Sequence, residues 1–441
     1  RNMKKVIVYC FALLLIITVG CQKESLNLEE TETAKETEII QKGVAGQVPS
    51  NELVILYPEG TTEAEKILKR AEYNIESFKK CECAEPNLEL WIFEKEEKDP
   101  QHDGGIETKR AQADSDEEIE GAEYNPTIKI HEDLFVDFGG TGDINDGLLK
   151  KVSSNQGVTV AVLDTGIMYD YPGFTSPFLY NSGQDACSDN GYSDLFGWNF
   201  VDENNNPYDN HRGRHGTIVS SLIASQLETA NIDYQILPVK VANQNGNIRY
   251  FDALCGFQYA AKNPDVNIIN MSFGWNQHER ELLEKFIDEA GDILIVTSAG
   301  NKGLNNDTMP HYPSSYESAN ILAVAALRGP NSQSSGGNTN SSVIDIYGSS
   351  NNNNYSGLAS FSNRGTYSVD IAAPGENLPF TYNNETLYIN GTSYSAALTS
   401  GYSGTLYVTG MTGISLRATV IENCEYDPSL SEIQYSKHIP E

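Results

Sequence analysis

Five mostly apolar, β-branched runs recur along this chain: residues 158–163, 236–241, 266–273, 293–297 and 321–326. The first stops abruptly at Asp164. Between them the apolar residues change period. Tyr250, Leu254, Phe257 and Ala261 recur at helical spacing, as do Leu282, Leu283, Phe286, Ile287 and Ala290. A strand that needs no polar face is buried on both sides. Alternation of such strands with amphipathic helices predicts an α/β fold: a doubly wound, mostly parallel sheet with helices on both faces. Functional residues in such sheets collect at the carboxyl ends of the strands. Asp164 and the segment Ser298, Ala299, Gly300, Asn301 lie at two such ends.

At 441 residues the chain is long enough for two or three units. Lys and Arg number 30 against 61 Asp and Glu, a formal net charge of -31. That balance repels nucleic-acid phosphate and anionic membrane surfaces, which removes nucleic acid from the partners to be considered. It suits an extracytoplasmic protein.

The first residues carry their own pattern. Lys4 and Lys5 precede an apolar run over 6–19, too short to span a bilayer comfortably, and Gly20-Cys21 follow. Residues 1–20 therefore read as a signal peptide and 21–50, rich in Glu, Thr and Lys, as a flexible tether. Residues 51–135 read as a small α+β domain. It has strands near 52–57 and 88–93 and a helix with a Thr62/Glu65 capping box carrying Ala64, Ile67, Leu68 and Ala71. An acidic loop follows over 94–120, then a strand over 122–130. Residues 144–425 form the large α/β domain, 329–357 a Ser/Asn/Gly-rich surface loop, and 426–441 a tail. Of seven cysteines, Cys10 and Cys21 belong to the signal region. Cys81, Cys83, Cys187, Cys255 and Cys424 show no framework spacing. They leave room for one or two bridges at most, with the pairing open.

Three short segments bear reactive side chains among small residues: Asp164 in Asp-Thr-Gly, His215 in Arg-His-Gly-Thr, and Ser393 in Asn-Gly-Thr-Ser-Tyr-Ser-Ala-Ala. A serine hydroxyl needs a base within hydrogen-bond reach, and the base needs an orienting partner. The order Asp, His, Ser is one of the known orders for such a triad. Gly391 and Thr392 permit a tight turn before Ser393. Thr392 is placed to cap a helix, which puts Ser393 in a first turn where free amides favour an anion. Gly216 permits close approach at His215, and Ile218, Val219, Leu222 and Ile223 anchor its helix.

These segments resemble the subtilisin-like serine proteases (the subtilases) over about 144–424. The resemblance implies Ser393 as nucleophile, His215 as base then acid, and Asp164 as orienter. It implies Asn301 as oxyanion donor, beside the Ser393 amide. Ser272, Phe273 and Gly274 resemble the strand that pairs with an extended peptide, and Ser298, Ala299 and Gly300 the wall of the primary pocket. Two departures stand out. Trp275 replaces a frequent glycine, and Ser395-Ala396-Ala397-Leu398 lacks the Pro-His that often follows the nucleophile. Residues 51–135 resemble a subtilase propeptide in order, size and position, acting on its own protease as inhibitor or folding aid. Gly20-Cys21 resembles the lipidation box of bacterial lipoproteins, with Thr18 in place of its usual Leu.

The function expected is extracytoplasmic serine endopeptidase on peptide or protein substrates, lipid-anchored through Cys21 in the cell envelope. Scission between 131 and 147 would remove the anchor with the propeptide and free the catalytic chain. Two rivals are considered. One is an inactive envelope lipoprotein using the same fold to bind peptides. The other is an aspartic protease built on Asp-Thr-Gly; that chemistry needs two carboxylates, so with one such tripeptide only a one-site homodimer would work, and the reading leaves His215, Asn301 and Ser393 unexplained. His211 rivals His215 as base, but Gly-Thr follows only His215. No cofactor is required for catalysis. Asp202 to Asp209 alternate oxygen ligands as a calcium loop does. Yet the sixth-position Gly is missing and Gly213 stands in place of the closing Glu, so a solvated Asn-rich loop is the reading here and structural calcium is left unplaced.

Overall fold

The computed structural model describes residues 51–81, 84–94, 105–130, 148–150, 157–174, 178–181, 196–278, 280–330, 357–382 and 385–440. The signal and tether, Cys21, the 131–147 junction and most of the 329–357 loop lie outside them.

The N-terminal domain holds β1 (Glu52–Leu56), α1 (Glu63–Glu72), β2 (Ser77–Cys81), β3 (Glu85–Ile92), α2 (Gly105–Asp114), β4 (Gly121–Tyr124) and β5 (Thr127–Lys129). Four strands form an antiparallel sheet in the order β2-β3-β1-β4. The capping box at Thr62 and Glu65 is present. Two expectations need correction. The acidic stretch 94–120 contains α2, whose helix-forming Glu107, Lys109, Arg110 and Ala111 outweigh its acidity. The strand expected over 122–130 is split at Asn125-Pro126, because Pro126 has no amide to donate to a ladder. Helix α1 also packs unexpectedly. Ile67 and Leu68 are exposed at 54% and 70%, while Lys66 and Lys69 are buried. The Lys66 ammonium donates to Pro86 O and Asn87 Oδ1, and Lys69 meets Glu72, Asp116 and Glu118. Satisfied ammonium groups over lysine stems have replaced aliphatic packing there.

The large domain follows with β6 (Val158–Asp164), α3 (His215–Thr229), β7 (Tyr234–Lys240), β8 (Asn247–Arg249), α4 (Tyr250–Ala261), β9 (Ile268–Met271), α5 (Glu281–Glu289), β10 (Leu294–Ser298), β11 (Ile321–Leu327), β12 (Ile371–Pro374), α6 (Thr392–Leu406) and α7 (Gly413–Asn423). Its central strands run parallel in the order β12-β11-β10-β9-β6-β7. Alternate side chains of one strand feed different cores. Ala161 and Leu163 pack with α4 and α5, whereas Val160 and Val162 pack with α3, α6 and α7. The doubly wound α/β expectation therefore holds. Residues 426–441, read as a tail, instead carry the strand Lys437–His438, which pairs with β12 and extends the sheet. No helix among the described residues is long and apolar enough to cross a membrane.

The N-terminal domain sits on the α4–α5 face. Val54, Leu56, Leu88 and Leu90 enter the same core as Tyr250, Leu254 and Leu283, while Leu53, Ile55, Tyr57 and Trp91 face the domain's own helices. Strand β5 pairs with β8. The Phe251 amide donates to Asn125 Oδ1 at 2.9 Å, and the Leu282 amide lies 3.4 Å from Glu123 Oε1. Both are first-turn amides without intrahelical partners, so the N-terminal domain caps α4 and α5 from outside.

Candidate active site

Strand β6 ends on Asp164, fully buried. Its carboxylate lies 2.8 and 2.9 Å, by its two oxygens, from His215 Nδ1. The Thr165 amide donates to Oδ1 at 2.7 Å and steadies that carboxylate. His215 opens α3, and its neighbour is glycine for a steric reason. A Cβ on Gly216 would come within 2.3 Å of Gly166 O and 3.1 Å of Asp164 Cβ. Any larger residue would push the imidazole off the carboxylate. The start of α3 is held by Asp209, whose Oδ2 accepts from the Thr217 amide and hydroxyl at 3.1 and 2.7 Å. His211 is buried in the turn ahead of the helix, its amide donating to Asp209 Oδ1. The imidazole bonded to Asp164 is that of His215.

Ser393 lies in the first turn of α6, as expected. Its hydroxyl donates to Ser272 O at 3.0 Å, and Ser272 Oγ donates back to Ser393 O at 2.9 Å. The next residue, Tyr394, places its ring centroid 5.7 Å from that of His215. The expected cap by Thr392 is not formed. Gly391 occupies the cap position and Thr392 is the first helical residue. Its hydroxyl is used elsewhere: the Thr392 amide and hydroxyl donate to Asn301 Oδ1 at 2.9 and 2.8 Å. A backbone amide can only donate, so the atom facing it must be the carbonyl oxygen. That fixes the amide orientation of Asn301 and commits Nδ2 to donate on the other side.

The expected substrate-binding residues divide. Ser272, Phe273 and Gly274 follow β9 after its ladder ends at Met271. Ser298 closes β10, and Gly300 follows with φ of +107°, a conformation that suits glycine. Ala299 is otherwise engaged, its amide donating to Val324 O and its carbonyl accepting from Asn306 Nδ2 at 2.9 Å. Trp275 turns to Tyr250 and Tyr312 and donates to His278 O. One residue escaped sequence reasoning. A Cβ on Gly274 would meet His311 Cε1 at 2.3 Å, and one on Gly300 would meet His311 Cδ2 at 3.0 Å. The His311 ring thus lies against both glycines, with Nδ1 3.0 Å from Ser314 Oγ. Burial, with Lys302 nearby, pushes its pKa down to about 3, so it is a neutral imidazole. Nothing local in the sequence marks it, since it lies ten residues from the nearest motif.

Lys240 adds a buried cation behind Asp164. Its Nζ donates to Thr165 O at 2.6 Å, Ala242 O at 2.8 Å and Asn210 Oδ1 at 3.0 Å. The nearby Asp202–Asp209 loop closes on itself. Asn199 Oδ1 accepts from the Val201 and Asp202 amides, Asn204 Oδ1 from the Asn206 amide, and Asn206 Oδ1 from the Tyr208 amide. Among the described residues no cluster of three or more His, Cys, Asp or Glu is placed to hold a metal ion.

The chain is 26% identical over 297 residues to a thermophilic serine proteinase of Bacillus sp. (strain AK1), covering 65% of this chain and 61% of that one. It is 29% identical over 284 residues to serine protease AprX of Bacillus subtilis (strain 168), covering 58% and 55%. The chain thus spans somewhat over half the length of these relatives. A solved cold-adapted subtilisin-like serine proteinase aligns with a TM-score of 0.46 at 20% identity, over 65% of this chain and 89% of that one. The profile of the Subtilase family matches residues 155–434, a span that takes in Asp164, His215, Asn301 and Ser393, and the chain belongs to that family.

Proposed function

We propose that this protein is a serine endopeptidase acting through Asp164, His215 and Ser393. The observation that carries the reading is the buried Asp164–His215 pair, with the ring of Tyr394, the residue after Ser393 in the first turn of α6, centred 5.7 Å from that of His215. Asp164 accepts from Nδ1–H, which leaves Nε2 of His215 as the base. In the resting site the Ser393 proton is given to Ser272 O. It must be redirected to Nε2 as Oγ forms its bond to the scissile carbonyl carbon. The carbonyl oxygen becomes an anion, and the Asn301 Nδ2 and Ser393 amide are the donors available to it. Collapse breaks the C–N bond and His215 returns the proton to the leaving amine. Water then repeats the sequence on the acyl-enzyme, while Asp164 stays ionised throughout. The substrates are peptides or proteins, held along Ser272 to Gly274.

On the same reading, residues 51–135 are the protease's own propeptide, a role supported by their capping of α4 and α5. The site is extracytoplasmic, supported by the N-terminal signal pattern and by a disulfide between Cys81 and Cys255, a bond that persists outside reducing compartments. A lipid on Cys21 anchors the chain to the envelope. An organophosphonate probe labels Ser393 in active protein, and casein hydrolysis is lost in Ser393→Ala. Peptide binding by both forms without cleavage by either would instead establish the non-enzymatic reading.

A further inference from the structure

The disulfide joins the two domains. Cys81 ends β2 of the N-terminal domain and Cys255 lies within α4 of the large one, 174 residues later, with Cα atoms 5.5 Å apart. The processing region, residues 131–147, lies between them in the chain. Scission there cuts the peptide backbone once and leaves the bridge intact. We propose that the N-terminal domain is a permanent, disulfide-linked subunit on the α4–α5 surface, and that the processed protein is a two-chain molecule. The inference deepens the propeptide reading and rests on it only for the scission step.

The surface around the bridge is built for lasting contact. Apolar side chains of β1 and β3 share a core with α4 and α5. Around that core, Arg249 pairs with Glu52 at 2.6 Å, Lys79 with Glu203 at 2.5 Å, and Lys262 donates to Ala84 O at 3.0 Å. The Tyr250 amide donates to Pro126 O at 3.0 Å, and the Asn125 and Glu123 caps complete both helix starts. A domain held by non-covalent contacts alone leaves on dilution. One tied by a covalent link rebinds at an effective concentration that dilution does not change. Both bridge residues are buried, Cys81 at 2% and Cys255 at 1% exposed, which hinders attack by a thiolate while the domains are docked. Simple cleavage of the backbone therefore does not free the domain. Anything attached upstream of Cys81, a lipid on Cys21 included, stays joined to the catalytic chain. This replaces the expectation of release on processing.

The test uses the full chain in a Ser393→Ala background, which cannot process itself, with a site for an unrelated sequence-specific protease inserted within 131–147. After cutting, denaturing gels without reductant should show one species at full mass, and with dithiothreitol two. Unreduced peptide mapping of the unaltered protein should recover a Cys81–Cys255 cross-linked peptide. Two fragments without reductant, with both cysteines open to alkylation in denaturant, would overturn the proposal. The propeptide reading fails separately, if uncut wild-type chain hydrolyses casein as fast as cut chain.

Discussion

Thr392 fixes Asn301 by two hydrogen bonds to one oxygen, from its amide at 2.9 Å and its hydroxyl at 2.8 Å. The same hydroxyl accepts from the Gly300 amide at 3.1 Å, so one side chain holds both Asn301 and the residue before it. Asn301→Ala should lower kcat by about 10²–10³ with KM little changed, the loss known for a donor of this kind in subtilisin and not a figure derived from this chain. Thr392→Val keeps the amide bond and loses the hydroxyl. Its kcat should fall about fivefold, as one neutral hydrogen bond contributes about 1 kcal/mol. Steady-state kinetics on a chromogenic peptide separate the two variants. Equal losses would mean that Thr392 does more than orient Asn301.

His311 occupies the space between Gly274 and Gly300, so it should limit the size of the side chain accepted there. His311→Ala should shift cleavage of a peptide library toward larger residues before the scissile bond. An unchanged profile would place the primary pocket elsewhere. The same residue gives a pH signature. Its folded pKa is depressed to about 3 against an ordinary 6.5, so the unfolded chain binds the extra proton. The stability this contributes is present above pH 6.5 and is lost as pH falls toward 3, at up to about 1.4 kcal/mol per unit. Melting curves of His311→Ala should lack that part of the acid slope.

Asp252 shows the opposite sign. Burial beneath the N-terminal domain raises its carboxyl from 3.8 to about 7, with Arg249 and Lys79 offsetting part of the effect. The folded state therefore holds the proton more tightly. Its contribution to stability is full below pH 3.8 and declines as pH rises through 7. Asp252→Asn removes the charge that must be buried. It should melt higher than wild type at pH 8 and lose the decline between pH 4 and 7.

Lys240→Met tests the cation behind Asp164. The substitution keeps much of the apolar stem but leaves Thr165 O, Ala242 O and Asn210 Oδ1 without their shared donor. A cost on the order of 3 kcal/mol is expected from buried acceptors losing a charged partner. Urea unfolding measures it directly. Unchanged stability would show that water replaces the ammonium freely.

The parallel sheet was legible because β6, β7, β9, β10 and β11 are buried on both faces, and a strand in that position carries an unbroken apolar run. β12 was missed because Ile371 to Pro374 is too short to stand out from its surroundings. Helix α1 announced its start through Thr62 and Glu65 but not its orientation. Apolar spacing pointed to Ile67 and Leu68 as the packed face, whereas neighbouring oxygens drew Lys66 and Lys69 inward. Asp164, His215, Asn301 and Ser393 stand out along the chain because each sits in a short segment whose small residues make close approach possible.

Local composition and spacing name the reactive groups, their order and the strand ends that carry them. Only the tertiary structure decided what faces what. It chose His215 over His211 for Asp164, turned Thr392 from a helix cap into the partner of Asn301, set His311 against two glycines and joined Cys81 to Cys255. The physical reason is common to all four. Each depends on a distance across elements remote in the chain, and neither period nor composition along one segment encodes such a distance.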